Sequence, residues 1–215
     1  MKHIIPTLTL TTLAAASAMA QTAAVKGNGL TYDRLSVGYG QTDTTKGLSG
    51  SFTALLGDTV VVGGTYSDLD GRKDFDGVSG NGNSFLVGAK FSVGPGDLIV
   101  SYAYTQLQLS GFDDTLGLAA ALAGDTDTFG LTYRYALNST IELSAGVSRV
   151  SGDAAFLVVD YSVAPAEVAL ADTVDFSDTT YSLGIRFNVT KQFDISAGYT
   201  FADENGWTLS AGYNF

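Results

Sequence analysis

The chain ends in GWTLSAGYNF, Gly206 to Phe215. Trp207, Leu209, Ala211, Tyr213 and Phe215 occupy one parity, and Thr208, Ser210, Gly212 and Asn214 the other. A period of two is that of a β-strand with two unlike faces. A chain end that nothing holds is usually frayed and polar. An aromatic ring on the last residue therefore points to a terminal strand that is paired along its full length.

The same alternation recurs upstream. Ten segments carry it, over 31–41, 47–56, 60–68, 83–93, 98–108, 128–137, 141–150, 179–189, 193–202 and 207–215. In the fourth, Phe85, Val87, Ala89, Phe91 and Val93 oppose Ser84, Leu86, Gly88, Lys90 and Ser92. In the eighth, Tyr181, Leu183, Ile185, Phe187 and Val189 oppose Thr180, Ser182, Gly184, Arg186 and Asn188. A five-residue unit repeats as ELSAG (142–146), DISAG (194–198) and TLSAG (208–212). The 26 glycines and three prolines exclude a helical domain, because glycine weakens helix interiors.

The composition of the second parity decides which face is wet. Soluble sandwiches and barrels turn the apolar face inward and carry charge outside. Here the non-apolar parity is mostly Gly, Ser, Thr and Ala, and too poor in Lys and Glu to be a solvated surface. The apolar parity carries rings near segment ends, among them Tyr39, Tyr66, Phe91, Tyr102, Tyr104, Tyr133, Phe187, Tyr199 and Trp207. Aromatic girdles flanking an outward apolar band mark a barrel in a bilayer. Ten residues at ~3.3 Å each, tilted ~40°, span ~25 Å, the height of that band. No stretch after residue 20 has the 18 continuous apolar residues of a spanning helix.

Short connections (57–59, 94–97, 138–140, 190–192) alternate with longer ones (69–82, 109–127, 151–178), as in an up-and-down meander. A single chain of this kind has an even strand number. Ten satisfies the rule, and eight does so if the first two segments lie outside the wall. Counting back from the turns places Gly184 opposite Gly198, Thr53 opposite Gly63 and Gly88 opposite Ala103. Residues 115–123 and 155–170 are unusually apolar for loops. They are expected to form short helices or strand extensions that pack on themselves, cap or plug the barrel, or take an apolar ligand.

Residues 1–20 read as a secretory signal, with Lys2 and His3, a mildly apolar run over 4–15, and Ala-Met-Ala at 18–20. Residues 21–30 form a short N-terminal segment before the barrel at 31–215. After position 20 the chain carries ten basic and 22 acidic residues and no cysteine. An excess of acid on this scale argues against nucleic acid as a partner.

With these features the chain resembles the small outer-membrane β-barrel proteins of Gram-negative bacteria, over nearly everything after the signal. The resemblance implies outer-membrane lipid and lipopolysaccharide as surroundings. It implies that Trp207, Leu209, Tyr213 and the terminal Phe215 form the signal read by the barrel assembly machinery. It further implies that the N-terminus and short turns face the periplasm and the long loops the outside.

Candidate functional residues lie on the inward parity. Lys90, Arg134 and Arg186 occupy equivalent places on three strands shortly before short turns, and Glu142 and Asp194 open the strands that follow. Arg134 is then diagonal to Glu142, and Arg186 to Asp194, within reach of long side chains. With Arg34 they form either a charge network across a narrow lumen or a constriction that selects ions. The acidic loop DLDGRKDFDG (68–77) offers Asp68, Asp70, Asp74 and Asp76 as weak Ca²⁺ ligands, although Arg72 takes the third ligand place of the usual loop. No cofactor is expected. The sole histidine, His3, lies in the signal, which removes histidine-dependent catalysis and leaves acidic pairs such as Asp113–Asp114 and Asp125/Asp127 as solvated surface. The expected function is a small porin-like channel for ions or small solutes. The alternative is a non-conducting structural or surface-interaction barrel, favoured if ion pairs close the lumen.

Deletion of Phe215 is expected to lower the amount assembled in cells strongly and to leave refolding into detergent nearly unchanged. Equal loss in both assays would show that the ring only packs.

Overall fold

The structure, a computed structural model, describes residues 30–72, 77–113, 118–162 and 167–215. The signal reading of residues 1–20, most of the segment 21–30, and Asp74, Asp76 and Asp114 lie outside the described residues. Ten strands run β1 (Arg34–Thr42), β2 (Thr45–Leu56), β3 (Val60–Gly71), β4 (Val78–Val93), β5 (Gly96–Asp113), β6 (Leu118–Ala136), β7 (Ile141–Asp160), β8 (Glu167–Asn188), β9 (Phe193–Phe201) and β10 (Gly206–Asn214). Each pairs antiparallel with its chain neighbours, and β1 pairs with β10, so the sheet closes into a barrel. The fold is an all-β, antiparallel, up-and-down transmembrane β-barrel of ten strands.

Closure accounts for the ordered terminus. Nine residue pairs join β1 to β10, from Arg34 opposite Asn214 to Thr42 opposite Gly206. The Phe215 amide donates to the Asp33 carbonyl at 3.2 Å, and its ring stands on the outer face. The outward parity forms a continuous apolar belt: Leu35 and Val37, Phe52, Phe85, Val100, Leu131, Leu183, Ile195 and Leu209 are all exposed. Tilted or edge-on ring pairs flank it, Tyr39 with Trp207 and Tyr102 with Phe129 toward one end, and Phe193 with Tyr213 toward the other. The inward parity at belt height is mostly Ser, Thr and Gly, with Val61, Leu86, Ile99 and Ala103 on the arc of β3 to β5.

The short turns close one end, here the floor. Gly57 and Gly94 hold positive φ there, a conformation that a side chain disfavours. Gly184 faces Gly198, and Thr53 faces Gly63, as the turn counting predicts. Gly88 instead faces Ser101, and Ala103 faces Leu86. The β4–β5 turn has only two residues, Gly94 and Pro95, with Val93 opposite Gly96, which shifts the pairing by two.

At the other end the barrel is uneven. β5, β6, β7 and β8 have 18, 19, 20 and 22 residues, against nine each in β1, β9 and β10. Most of the apparent loops 109–127 and 151–178 are therefore strand, so one wall stands about twice as tall as the opposite one. Among the described residues the apolar stretches at 118–123 and 155–160 are strand extensions and not helices. Just above the belt the two faces exchange character, and nearer the tip of the tall wall Phe112 and Leu157 stand exposed on the outside again. Outward positions become Asn81 and Asn83, Gln106 and Gln108, Asp125 and Asp127, Ser151 and Asp153. Inward positions become apolar: Leu69, Leu107, Leu109 and Leu122 form a buried cluster, with Val78 and Phe156 packed against it. A wall that leaves lipid for water must turn its apolar side inward.

The first segment also differs from expectation. β1 begins at Arg34 and not at 31. Leu30 and Tyr32 turn into the lumen, where they pack on the inward side chains Val61, Leu86, Ile99 and Ala103. They share the parity of the inward Arg34, so their side chains fall on the lumen side.

Candidate functional site in the barrel floor

Near the floor every strand from β4 round to β1 contributes one inward polar side chain to a common layer. In order they are Lys90, Asp97, Arg134, Glu142, Arg186, Asp194, Asn214 and Arg34. The signs alternate from Lys90 to Asp194, and Arg34 closes on Asp194. All except Lys90, whose side chain is 9% exposed, are buried. β2 and β3 contribute the buried Thr53 and Val61 on the remaining arc.

The alternation follows from strand pairing. Asp97 lies directly opposite Arg134, and Glu142 directly opposite Arg186. Across each short turn the partners are diagonal: Arg134 faces Ser144 and reaches Glu142, while Arg186 faces Ser196 and reaches toward Asp194. Arg134 Nε donates to Glu142 Oε1 at 2.7 Å, and its Nη2 also engages that oxygen. Arg186 Nη1 lies 3.5 Å from Glu142 Oε2, and its Nε 3.8 Å from Asp194 Oδ1. Arg34 grips Asp194 with two bonds, Nη2 to Oδ1 at 2.7 Å and Nε to Oδ2 at 3.1 Å. Asn214 Nδ2 donates to the same carboxylate at 3.0 Å. Lys90 Nζ stands 3.9 Å from Asp97 Oδ2.

The N-terminal segment completes the floor. Tyr32 OH donates to Asp97 Oδ2 at 2.7 Å, and the Arg134 guanidinium lies over the Tyr32 ring, 4.7 Å from its centroid. Lys90 Nζ lies 5.3 Å from the same centroid. Cations over an aromatic face are attracted by its quadrupole, more strongly when desolvated. Arg134 Nη2 also donates to the Thr31 carbonyl at 3.3 Å, and the Leu55 amide donates to Asp33 Oδ1 at 2.9 Å. Burial foremost, with the bond to Asp97, holds the Tyr32 phenol above its usual range, so it stays a donor. Tyr32 is thus the hinge between an apolar half of the floor and a charged half.

All six lumen residues expected from the sequence, Arg34, Lys90, Arg134, Glu142, Arg186 and Asp194, meet in this layer. Asp97, Tyr32 and Asn214 were not anticipated. The signal for Asp97 is its place seven residues after Lys90: across the shorter turn it takes the same diagonal position that Glu142 takes to Arg134 and Asp194 to Arg186 at a spacing of eight. Of the Ca²⁺ candidates, Asp68 and Asp70 stand outward at the end of β3. Among the described residues no three His, Cys, Asp or Glu side chains come together as a metal site.

A closed ladder, an outward apolar belt with ring pairs at its ends, and an exchange of faces above the belt occur together here. In fold the chain is a closed ten-stranded β-barrel of the kind that spans a bilayer. Solved barrels are similar to it in shape at low identity. The KdgM porin matches 85% of this chain and 99% of its own, at 8% identity and a TM-score of 0.43. Ail, the attachment invasion locus protein of Yersinia pestis, matches 85% and 97%, at 20% identity and 0.44. The outer membrane protease OmpT from Escherichia coli matches 85% and 94%, at 10% identity and 0.49. No protein-family model and no curated protein matches the chain.

Burial makes the barrel floor sensitive to loss of one partner. An uncompensated buried charge destabilises by about 3–5 kcal/mol. Glu142→Gln leaves Arg134 and Arg186 facing each other without their shared carboxylate. A loss of about 3–5 kcal/mol is expected in urea unfolding of the detergent-refolded protein. A change below about 0.5 kcal/mol, typical of surface sites, would show that the ladder carries no stability.

Proposed function

We propose that this is an outer-membrane barrel sealed at its periplasmic floor, serving a structural or surface-interaction role and not free diffusion. The observation that carries the proposal is the joint filling of the floor by Leu30 and Tyr32 on one side and by paired charges on the other. Fixed charges choose among ions when water and ions can reach them. Here each carboxylate is already held by a cation, and the N-terminal segment is fastened to the wall at Thr31 and Asp33.

The tall wall supports the same reading. Asp125 of β6 faces Asp153 of β7, which faces Asp175 of β8, so three outward carboxylates lie in one row above the belt. Like charges directly opposite on a sheet repel. Cations shared with the ion-bridged lipopolysaccharide layer relieve that repulsion, which makes lipopolysaccharide the proposed neighbour of this wall. Export through a signal cleaved after residue 20, and assembly through the motif Trp207, Leu209, Tyr213 and Phe215, belong to the same proposal. So does a non-catalytic role, supported by the absence of histidine after His3.

A porin-like channel is the second reading, favoured by the Gly, Ser and Thr lining at mid-height. It requires residues 30–33 to leave the lumen. In planar bilayers the wild-type protein is expected to give no discrete conductance steps, and the Leu30→Ser/Tyr32→Ser double variant to give them. Steps from well-folded wild-type protein would overturn the sealed reading and support the channel.

A further inference from the structure

Arg134, Glu142 and Arg186 line a cavity of about 30 Å³ on the lumen side of the floor, with Ser144, Ser182 and Ser196 among its other walls. Both guanidinium groups are buried, at 1% and 5% exposure. Arg134 Nη1 and Arg186 Nε and Nη1 are themselves buried and have no hydrogen-bond acceptor. Arg186 Nη1 has Glu142 Oε2 at ion-pair distance, but not as a hydrogen bond. Buried polar atoms in folded proteins are nearly always satisfied, and unsatisfied ones mark a missing water or ion.

The charges distinguish those two occupants. Asp194 is held by two bonds from Arg34 and one from Asn214. Asp97 is held by Tyr32 and faces Lys90. Arg186 Nε has Asp194 Oδ1 at 3.8 Å, an ion pair but not a hydrogen bond. Across the layer four cations, Lys90, Arg134, Arg186 and Arg34, share three carboxylates, Asp97, Glu142 and Asp194, so one positive charge is in excess. A buried net charge is unfavourable unless a counter-charge joins it. A water has two lone pairs and no charge, whereas a halide accepts from several donors at once and neutralises the excess. The cavity exceeds the roughly 10–15 Å³ that one water needs, and it is too small for a sugar or an organic acid.

We propose that the floor binds one small monovalent anion, a halide, between Arg134 and Arg186. Glu142 directs its two carboxylate oxygens at the two guanidinium groups and sets the gap between them. The serine hydroxyls of the wall supply further donors. The anion completes the ladder of alternating charge, and this holds whether or not the barrel conducts.

Crystals of the detergent-purified protein grown with bromide as the sole halide test the assignment. An anomalous peak in the cavity between Arg134 and Arg186 is expected. Density there without anomalous signal, meaning water only, or bromide peaks confined to the outer surface, would overturn it. In a second measurement, bromide is raised at constant ionic strength against gluconate. The thermal midpoint of the wild type and of Arg149→Gln, an outward residue, is expected to rise with bromide, because a ligand that binds only the folded state stabilises it. Arg186→Gln is expected to lose that dependence. A wild-type midpoint indifferent to bromide, or an undiminished dependence in a folded Arg186→Gln, would also overturn the assignment. The wild-type arms decide the matter if that variant does not fold.

Discussion

A sheet standing in hydrocarbon can leave no edge unpaired, because each unsatisfied backbone group there costs several kcal/mol. The pairing of β1 with β10 meets that requirement, and the rest of the architecture follows from it. Closure makes the inward and outward parity of each strand consistent round the ring. It orders the last residue, which would otherwise fray. It also brings Arg34, near the start of the chain, beside Asn214 and within two hydrogen bonds of Asp194.

The constraint that orders the outside also explains which parts of the sequence were easy to read. Within the belt, alternation has one sense on the outside, apolar residues out, and mostly small residues in, apart from Val61, Leu86 and Ile99. Leu98, Val100, Tyr102 and Tyr104 show it on β5, and each of the ten belt segments was legible for that reason. Further along the same strand Leu107 and Leu109 are apolar on the opposite parity, and Gln106 and Gln108 face out. The period of two continues while its sign reverses. A reading that tracks one apolar parity therefore ends the strand near residue 108, although the ladder runs to Asp113. The reversal is physical, since the strand leaves a solvent that favours apolar groups for one that does not. The same exchange hid the upper parts of β6, β7 and β8.

In the floor, charge spacing across the three-residue turns 138–140 and 190–192 was legible, because a diagonal pair needs only the turn length. Asp97 escaped because the Gly94–Pro95 turn is two residues long, so the anion sits inside what reads as a turn. Tyr32 escaped for a different reason. Its neighbours Val61, Leu86, Ile99 and Ala103 come from three strands, and no local pattern announces that these inward positions await a residue from outside the wall. The floor is built partly by local spacing and partly by a long-range contact, and only the first kind leaves a mark in a single sequence.

The height at which the faces exchange sets the belt in lipid and the tall wall in water. The chain has no cysteine, so single spin labels are readily placed along the outward face of β5. At positions 98, 100, 102 and 104, labels in reconstituted vesicles are predicted to be accessible to oxygen and shielded from a water-soluble nickel chelate. At 106, 108 and 110 the preference is predicted to reverse. Oxygen preference continuing through position 110, or chelate preference at every position, would contradict this placement of the belt.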